Sequence, residues 1–175
     1  MPSARFQTEV TDTGKLSGNG SDEVRFLLSA NRGEELGRIS RIASGGELSR
    51  IMLAMKSVLS RGDPVPTMIF DEIDTGVSGI AAQRVGEHLA GLSREKQVLC
   101  VTHLPQIAAM ADRHYVILKT ESGERTLTEV ELLSREGKRQ ELARLHGGDH
   151  ITETTLLSAE EQLQYAEKFK SGNKQ

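Results

Sequence analysis

The sequence predicts an α/β fold: a mostly parallel sheet with flanking helices and an antiparallel edge. Three observations predict it. The runs Thr67–Phe70, 97–101 and 115–118 are short, apolar and bounded by polar or turn residues, as buried strands are. Segments with helical spacing, 80–92 and 105–111, lie between them. The connections are short, so strand, helix and strand alternate in the rhythm of parallel crossover units.

Each element can be justified in order. Residues 5–11 alternate weakly and 24–28 form a second apolar run, so the opening third reads as a β-hairpin or meander, with the glycine-rich stretch 14–22 as its exposed loop. Residues 31–43 show no period and read as irregular. From Glu47 to Ser60 the pattern is helical, with Leu48, Ile51, Met52, Met55, Val58 and Leu59 on one stripe. Arg61-Gly62-Asp63-Pro64 ends that helix, because Gly and Pro continue it only at a cost. Thr67–Phe70 follows as a strand suited to burial on both faces. The next helix turns Val85, Leu89 and Leu92 inward. Pro105 suits the first turn of a short helix. Residues 115–118 supply a third strand of the parallel sheet, and 126–132 alternate as an antiparallel edge. The tail, from about Arg135, reads as two helices broken at Gly147-Gly148. The division expected is therefore 1–43, a lead-in; 44–133, an α/β core; and 134–175, C-terminal helices.

Composition narrows the function. Of 175 residues, 37% are hydrophobic but only 3% aromatic, so the core is aliphatic. A formal net charge of −3 argues against a uniformly basic nucleic-acid surface and leaves room for a local basic patch. The single cysteine, Cys100, sits in an apolar run and reads as an inert thiol in a reducing, cytosolic compartment. No stretch resembles a signal peptide or reaches the length of a membrane span. Met1-Pro2-Ser3-Ala4 reads like the start of an expressed piece of a longer protein.

Chemistry concentrates at four places. Thr67–Phe70 runs directly into Asp71 and Glu72. A strand ending in acid places that acid at the carboxyl edge of the sheet, where open α/β sheets bind ligands. Asp71 is suited to hold Mg²⁺, partly through water, and Glu72 to orient and deprotonate an attacking water. The plainer alternative is a strand that simply ends in solvent. Ser44-Gly45-Gly46-Glu47 reads locally as a capping box. Two glycines in a helix's first turn weaken it relative to alanine; without side chains, a phosphate can approach the helix amides. His103 follows the strand ending Val101-Thr102, again at the carboxyl edge, where it can hydrogen-bond a phosphate or a water. Asp74-Thr75-Gly76-Val77-Ser78-Gly79 reads as a tight loop into the next helix, with Asp74 free to serve that helix or a facing subunit. The phosphate loop G-x-x-x-x-G-K-[ST] is absent: Gly14-Lys15 is followed by Leu16, and Gly137-Lys138 by Arg139.

Taken in order, these pieces resemble the C-terminal half of an ABC-type ATPase head, a P-loop NTPase lobe. Ser44-Gly45-Gly46-Glu47 resembles the signature motif, the strand ending in Asp71-Glu72 resembles Walker B, Asp74 the D-loop and His103 the switch histidine. The stretches from Ile42 to Ala54, Ile69 to Gly79 and Val101 to Ala108 are similar to the RecN family of SMC-like bacterial double-strand-break repair proteins, and the likeness is weakest before Val24. Glu47 stands where many ABC transporters carry Gln, which points away from transporters.

The resemblance implies that the phosphate loop lies in an N-terminal half of the same full-length chain, beyond a long coiled coil, and that two heads form a homodimer sandwiching ATP. It implies that Asp71 (metal), Glu72 and His103 (catalytic) serve ATP and Mg²⁺ in their own head. Ser44, Gly45, Gly46 and Glu47 would reach across to the partner head's nucleotide, and Asp74 would sit at the head–head contact. It further implies DNA as a partner of the whole protein, no membrane, and a cytoplasmic, nucleoid-associated location. The chain alone is expected to be inactive for want of the phosphate loop. Two other readings stay open: a non-enzymatic folding and dimerisation module, and a metal-dependent phosphoesterase built on Asp71, Glu72, Asp74 and His103.

Overall fold

The computed structural model describes residues 4–29, 33, 35–39, 44–122 and 125–172. The expected irregular segment 31–43 falls mostly outside them. The chain opens with an antiparallel sheet of β1 (Arg5–Ser17), β2 (Gly20–Ser29) and the short β3 (Gly37–Arg38). β1 and β2 run through the stretch expected to be loop. Their register is regular from Arg5↔Ser29 to Asp12↔Asp22 and resumes at Ser17↔Gly20. Side chains stitch the irregular part: Asp12 Oδ1 accepts the Gly14 amide at 2.8 Å, where Gly14 has φ +67, and Thr13 Oγ1 donates to the Ser21 carbonyl at 2.7 Å. Asn, Asp, Thr and Gly make such local bonds readily, so a turn-like composition here serves a bulged strand.

Helix α1 (Gly45–Leu59) follows, and a single 3-10 turn, Ser60–Gly62, closes it. β4 (Thr67–Phe70), α2 (Gly79–Leu92) and β5 (Gln97–Cys100) form one parallel crossover unit, paired from Thr67↔Gln97 to Phe70↔Cys100. The short helix α3 (Pro105–Ala108) starts on a proline, whose missing N–H costs nothing in a first turn. β6 (Tyr115–Ser122) pairs antiparallel with β7 (Arg125–Leu132) and not with β5. The parallel sheet therefore has two strands, β4 and β5, among the described residues rather than the expected three. An apolar run identifies a strand but not its neighbour. Helices α4 (Arg135–Gly147) and α5 (Glu153–Gly172) end the chain. Ser134 caps α4 by accepting the Gly137 amide, and Gly148, at φ +70, stops it.

The main core lies on one side of the β4–β5 pair. Met68 and Phe70 pack there with Leu53 of α1, Val85 and Leu89 of α2, and Ile73, which is fully buried. A second cluster joins α3, α4 and α5 through Ala108, Leu142, Ala159 and Leu163. Glu87 of α2, buried, fastens the C-terminal helix: its carboxylate accepts the Tyr165 hydroxyl at 2.6 Å, Gln83 Nε2 at 3.1 Å and Arg84 Nη1 at 2.8 Å.

Among the described residues, nothing covers the opposite face of β4–β5. Ile69 is 70% exposed, and Leu99 and Val101 are also exposed. Burial on both faces is thus not what the described residues provide. The α1 stripe divides in the same way. Ile51 is buried, but Leu48, Met52, Val58 and Leu59 are exposed, and the deeply buried residue is Leu53, off the predicted stripe. No helix among the described residues is long and apolar enough to cross a membrane.

Candidate nucleotide-handling site

The site is built on the carboxyl ends of β4 and β5 and on the start of α1. Ser44 caps α1 in a full capping box: its Oγ accepts the Glu47 amide at 3.4 Å, and Glu47 Oε2 accepts the Ser44 amide at 3.1 Å and its hydroxyl at 3.3 Å. The helical pattern becomes visible in the sequence only from Glu47, but the helix starts at Gly45, where the capping box places it.

Those glycines answer to the chain's own loop. A Cβ on Gly46 would stand 2.9 Å from the Glu72 carbonyl, the Thr75 Cβ and the Thr75 carbonyl. No side chain fits there, and Gly46 is buried. A Cβ on Gly45 would run into Glu72 Oε2. The Glu72 carboxylate therefore lies over the bare first turn of α1, at the positive end of the helix dipole. Polar bonds from the next turn secure the loop. Ser49 Oγ donates to the Asp71 carbonyl at 2.9 Å, and Arg50 Nη1 donates to the carbonyls of Ile73 at 3.1 Å and Thr75 at 2.7 Å. The sequence reading missed Ser49 and Arg50. The only signal for Arg50 was a cation beside Ile51 on a largely apolar helix.

Asp71 and Glu72 stand exposed directly past Phe70. Asp71 Oδ1 accepts the Glu72 amide at 2.9 Å. Glu72 has φ +56, a left-handed conformation that costs a non-glycine residue of order 1 kcal/mol or more. The turn is closed by the Thr75 amide donating to the Glu72 carbonyl at 3.1 Å.

Asp74 lies inside. It is 5% exposed, and its Oδ2 accepts Thr102 Oγ1 at 2.7 Å and the His103 amide at 2.9 Å, and stands 2.9 Å from His103 Nδ1 as an ion pair. Burial pushes its pKa up, but the bonds from Thr102 and the His103 amide, with the nearby imidazole, outweigh burial and hold the carboxyl below the usual range. Its side chain faces inward, rather than standing free for a facing subunit as the sequence suggested. Thr102 was read only as a strand end. Cys100, half-buried beside this cluster, has its thiol pushed up to about 12 by burial and by Asp74 and Asp71, which fits an inert thiol.

The structure thus brings Asp71, Glu72 and His103 to the ends of two adjacent parallel strands and ties the Ser44–Glu47 helix start to the same loop. It does not gather Asp71, Glu72, Asp74 and His103 into a metal cage. No group of three or more His, Cys, Asp or Glu suited to a metal ion occurs among the described residues.

The fold defines the class: the C-terminal lobe of an SMC-type P-loop NTPase head. The chain superposes on the Smc head domain with a coiled coil and joint from Pyrococcus yayanosii with a TM-score of 0.61, at 24% identity over 83% of this chain and 26% of that one. It superposes on a structure from work on ATP-driven dimerization and DNA-stimulated activation of SMC ATPases with a TM-score of 0.54, at 22% identity over 85% of each chain. No protein-family model matches. The sequence goes further than the fold. It is 45% identical to DNA repair protein RecN of Treponema pallidum over 98% of this chain, and 48% identical to RecN of Bacillus subtilis over 90%. The chain belongs to the RecN family and corresponds to the C-terminal part of its members. It spans 31% and 27% of the length of those two relatives.

Proposed function

We propose that the chain is half of an ATPase head in a RecN-like protein that repairs DNA double-strand breaks and supports recombination, with ATP binding closing a pair of heads and hydrolysis releasing them. The observation that carries this reading is the placement of Asp71, Glu72 and His103 at neighbouring parallel strand ends, with α1 bonded to the same loop through Ser49 and Arg50, just past the Ser44–Glu47 helix start. That strand edge is where α/β sheets take their ligands.

The roles follow from geometry and charge. Asp71 keeps one carboxylate oxygen free of the Glu72 amide, and one exposed carboxylate suits Mg²⁺, which takes few protein ligands and completes its shell with water and phosphate oxygens. When bound, that ion neutralises charge on the nucleotide's phosphates. Glu72 orients the attacking water and accepts its proton, turning off the α1 start to do so. His103 faces the γ-phosphate. Ser44, Gly45 and Glu47 meet the partner head's nucleotide across the dimer. Gly46, buried, keeps that helix start seated on the 72–75 loop. The division 1–43, 44–133 and 134–175 is retained as lead-in, catalytic core and C-terminal helices.

The phosphate loop and the cover for the bare β4–β5 face both come from the N-terminal half of the same full-length protein. The RecN relatives are about three times longer than this chain, so sequence for such a half exists in the family. DNA, engaged by the whole protein, sets the place of work as the nucleoid in the cytoplasm. The non-enzymatic reading describes this chain by itself. The phosphoesterase reading loses its support, because Asp74 and His103 are committed to each other.

ATP turnover tests the proposal. The 175-residue chain is expected to hydrolyse ATP negligibly, and the complete head to hydrolyse it with a dependence on Glu72. Glu72→Gln in the complete head should lower turnover by about 10²-fold or more, the usual weight of a general base, and trap an ATP-bound dimer. An unchanged rate would remove Glu72 from the mechanism.

A further inference from the structure

The loop after β4 holds two acids two positions apart that the chain treats in opposite ways. Glu72 is exposed and lies over Gly45, while Asp74 is buried and gives one oxygen to two hydrogen-bond donors and to the imidazole nitrogen Nδ1 of His103, 2.9 Å away. Removing a carboxylate from water costs several kcal/mol unless its oxygens are bonded. Both donors and the imidazole contact come from Thr102 and His103, just past the end of the neighbouring strand. We propose that Asp74 is the positioning residue for His103: it grips the imidazole at Nδ1 and thereby presents Nε2 at the carboxyl edge of the sheet. This deepens the reading of His103 as the group facing the γ-phosphate and rests on it.

The hydrogen-bond inventory fixes the details. The Leu104 amide donates to Thr102 Oγ1 at 3.1 Å, so the single hydroxyl proton of Thr102 is left to go to Asp74. An ionised carboxylate only accepts, so the 2.9 Å contact requires a proton on Nδ1. The imidazole is otherwise open, its side chain being 74% exposed, and its free edge is the one bearing Nε2. Unaided, an exposed neutral histidine favours the other tautomer, with its proton on Nε2. Asp74 reverses that preference. Neutral His103 then offers a lone pair at Nε2 to a water hydrogen. Protonated His103 offers an Nε2–H to a phosphate oxygen. Carboxylates that orient histidines in hydrolytic and metal sites work in the same way.

The same bonds make the loop a lever. Arg50 anchors Ile73 and Thr75 on either side of Asp74, so the start of α1, Asp74 and His103 form one connected path. A partner that displaces the helix start also displaces the imidazole.

Two measurements test the proposal, one needing no substitution. In the 175-residue chain, ¹⁵N spectra at alkaline pH should show the neutral ring protonated on Nδ1; a ring protonated mainly on Nε2 would overturn the assignment. In the complete protein, Asp74→Asn keeps the size and acceptor of the side chain but removes its charge. Turnover should fall at least tenfold with KM for ATP within about twofold, and adding Asp74→Asn to His103→Gln should cost nothing further. Wild-type turnover in Asp74→Asn, or a further loss in the double variant, would show that Asp74 does not act through His103. If His103→Gln alone leaves turnover intact, the γ-phosphate role of His103 fails, and the tautomer still decides whether Asp74 positions the ring.

Discussion

Met68 and Phe70 point into the core, while Ile69, Leu99 and Val101, on the other side of the same two strands, face outward. The two faces carry the same kind of side chain. On one, α1 and α2 cover the sheet; on the other, nothing among the described residues does. A lone solvated sheet face is normally polar, with apolar residues alternating inward only. Apolar residues on both faces belong to a sheet with two covers. The contrast fits the proposed N-terminal half as the second cover, since the helices among the described residues satisfy half of the pattern.

The contrast can be broken by substitution. Phe70→Ala should destabilise the chain by about 3–5 kcal/mol, the range for emptying an aromatic site in a core, read as a shift of the denaturation midpoint. Ile69→Thr keeps a β-branched residue on the bare side and should change stability by no more than about 0.5 kcal/mol. An equal loss in both would mean that the outer face is covered after all.

The glycine pair sharpens the comparison on a smaller scale. Gly46→Ala drives a methyl against backbone oxygen and the Thr75 side chain, and should cost about 1–3 kcal/mol. Gly45→Ala meets only the end of the flexible Glu72 side chain, which can swing away. An alanine also suits a helix better than glycine, so the net change should stay within about 1 kcal/mol. Thermal melts of the two variants side by side decide whether Gly46 serves packing and Gly45 proximity.

Much of this was legible in the sequence. Short apolar runs located β4, β5 and β6, and helical spacing located α1 and α2. Asp71, Glu72 and His103 could be set at strand ends from the runs that precede them. Facing was not legible. The period of α1 shows an apolar stripe, but not which of its apolar residues the chain covers: Leu53, off that stripe, is buried, and Leu48, Met52, Val58 and Leu59, on it, are exposed. Pairing was not legible either, because β6 chose β7 and left β5 with an open edge among the described residues. The Asp74–His103 contact joins residues 29 apart through a fold-dependent approach, and no local spacing announces it. The two glycines were read as room for a phosphate, whereas Gly46 is filled by the chain's own loop.

On the proposed function, the β4–β5 face left uncovered among the described residues is the seat of the phosphate-loop half of the head. Hydrogen exchange on the 175-residue chain, alone and mixed with the phosphate-loop-bearing N-terminal half, tests it most directly. The account predicts one-to-one association, new protection of the amides of β4 and β5, and loss of both with Ile69→Asp. Protection confined to other elements, undiminished association of Ile69→Asp, or self-association of this chain that the N-terminal half cannot displace would contradict it.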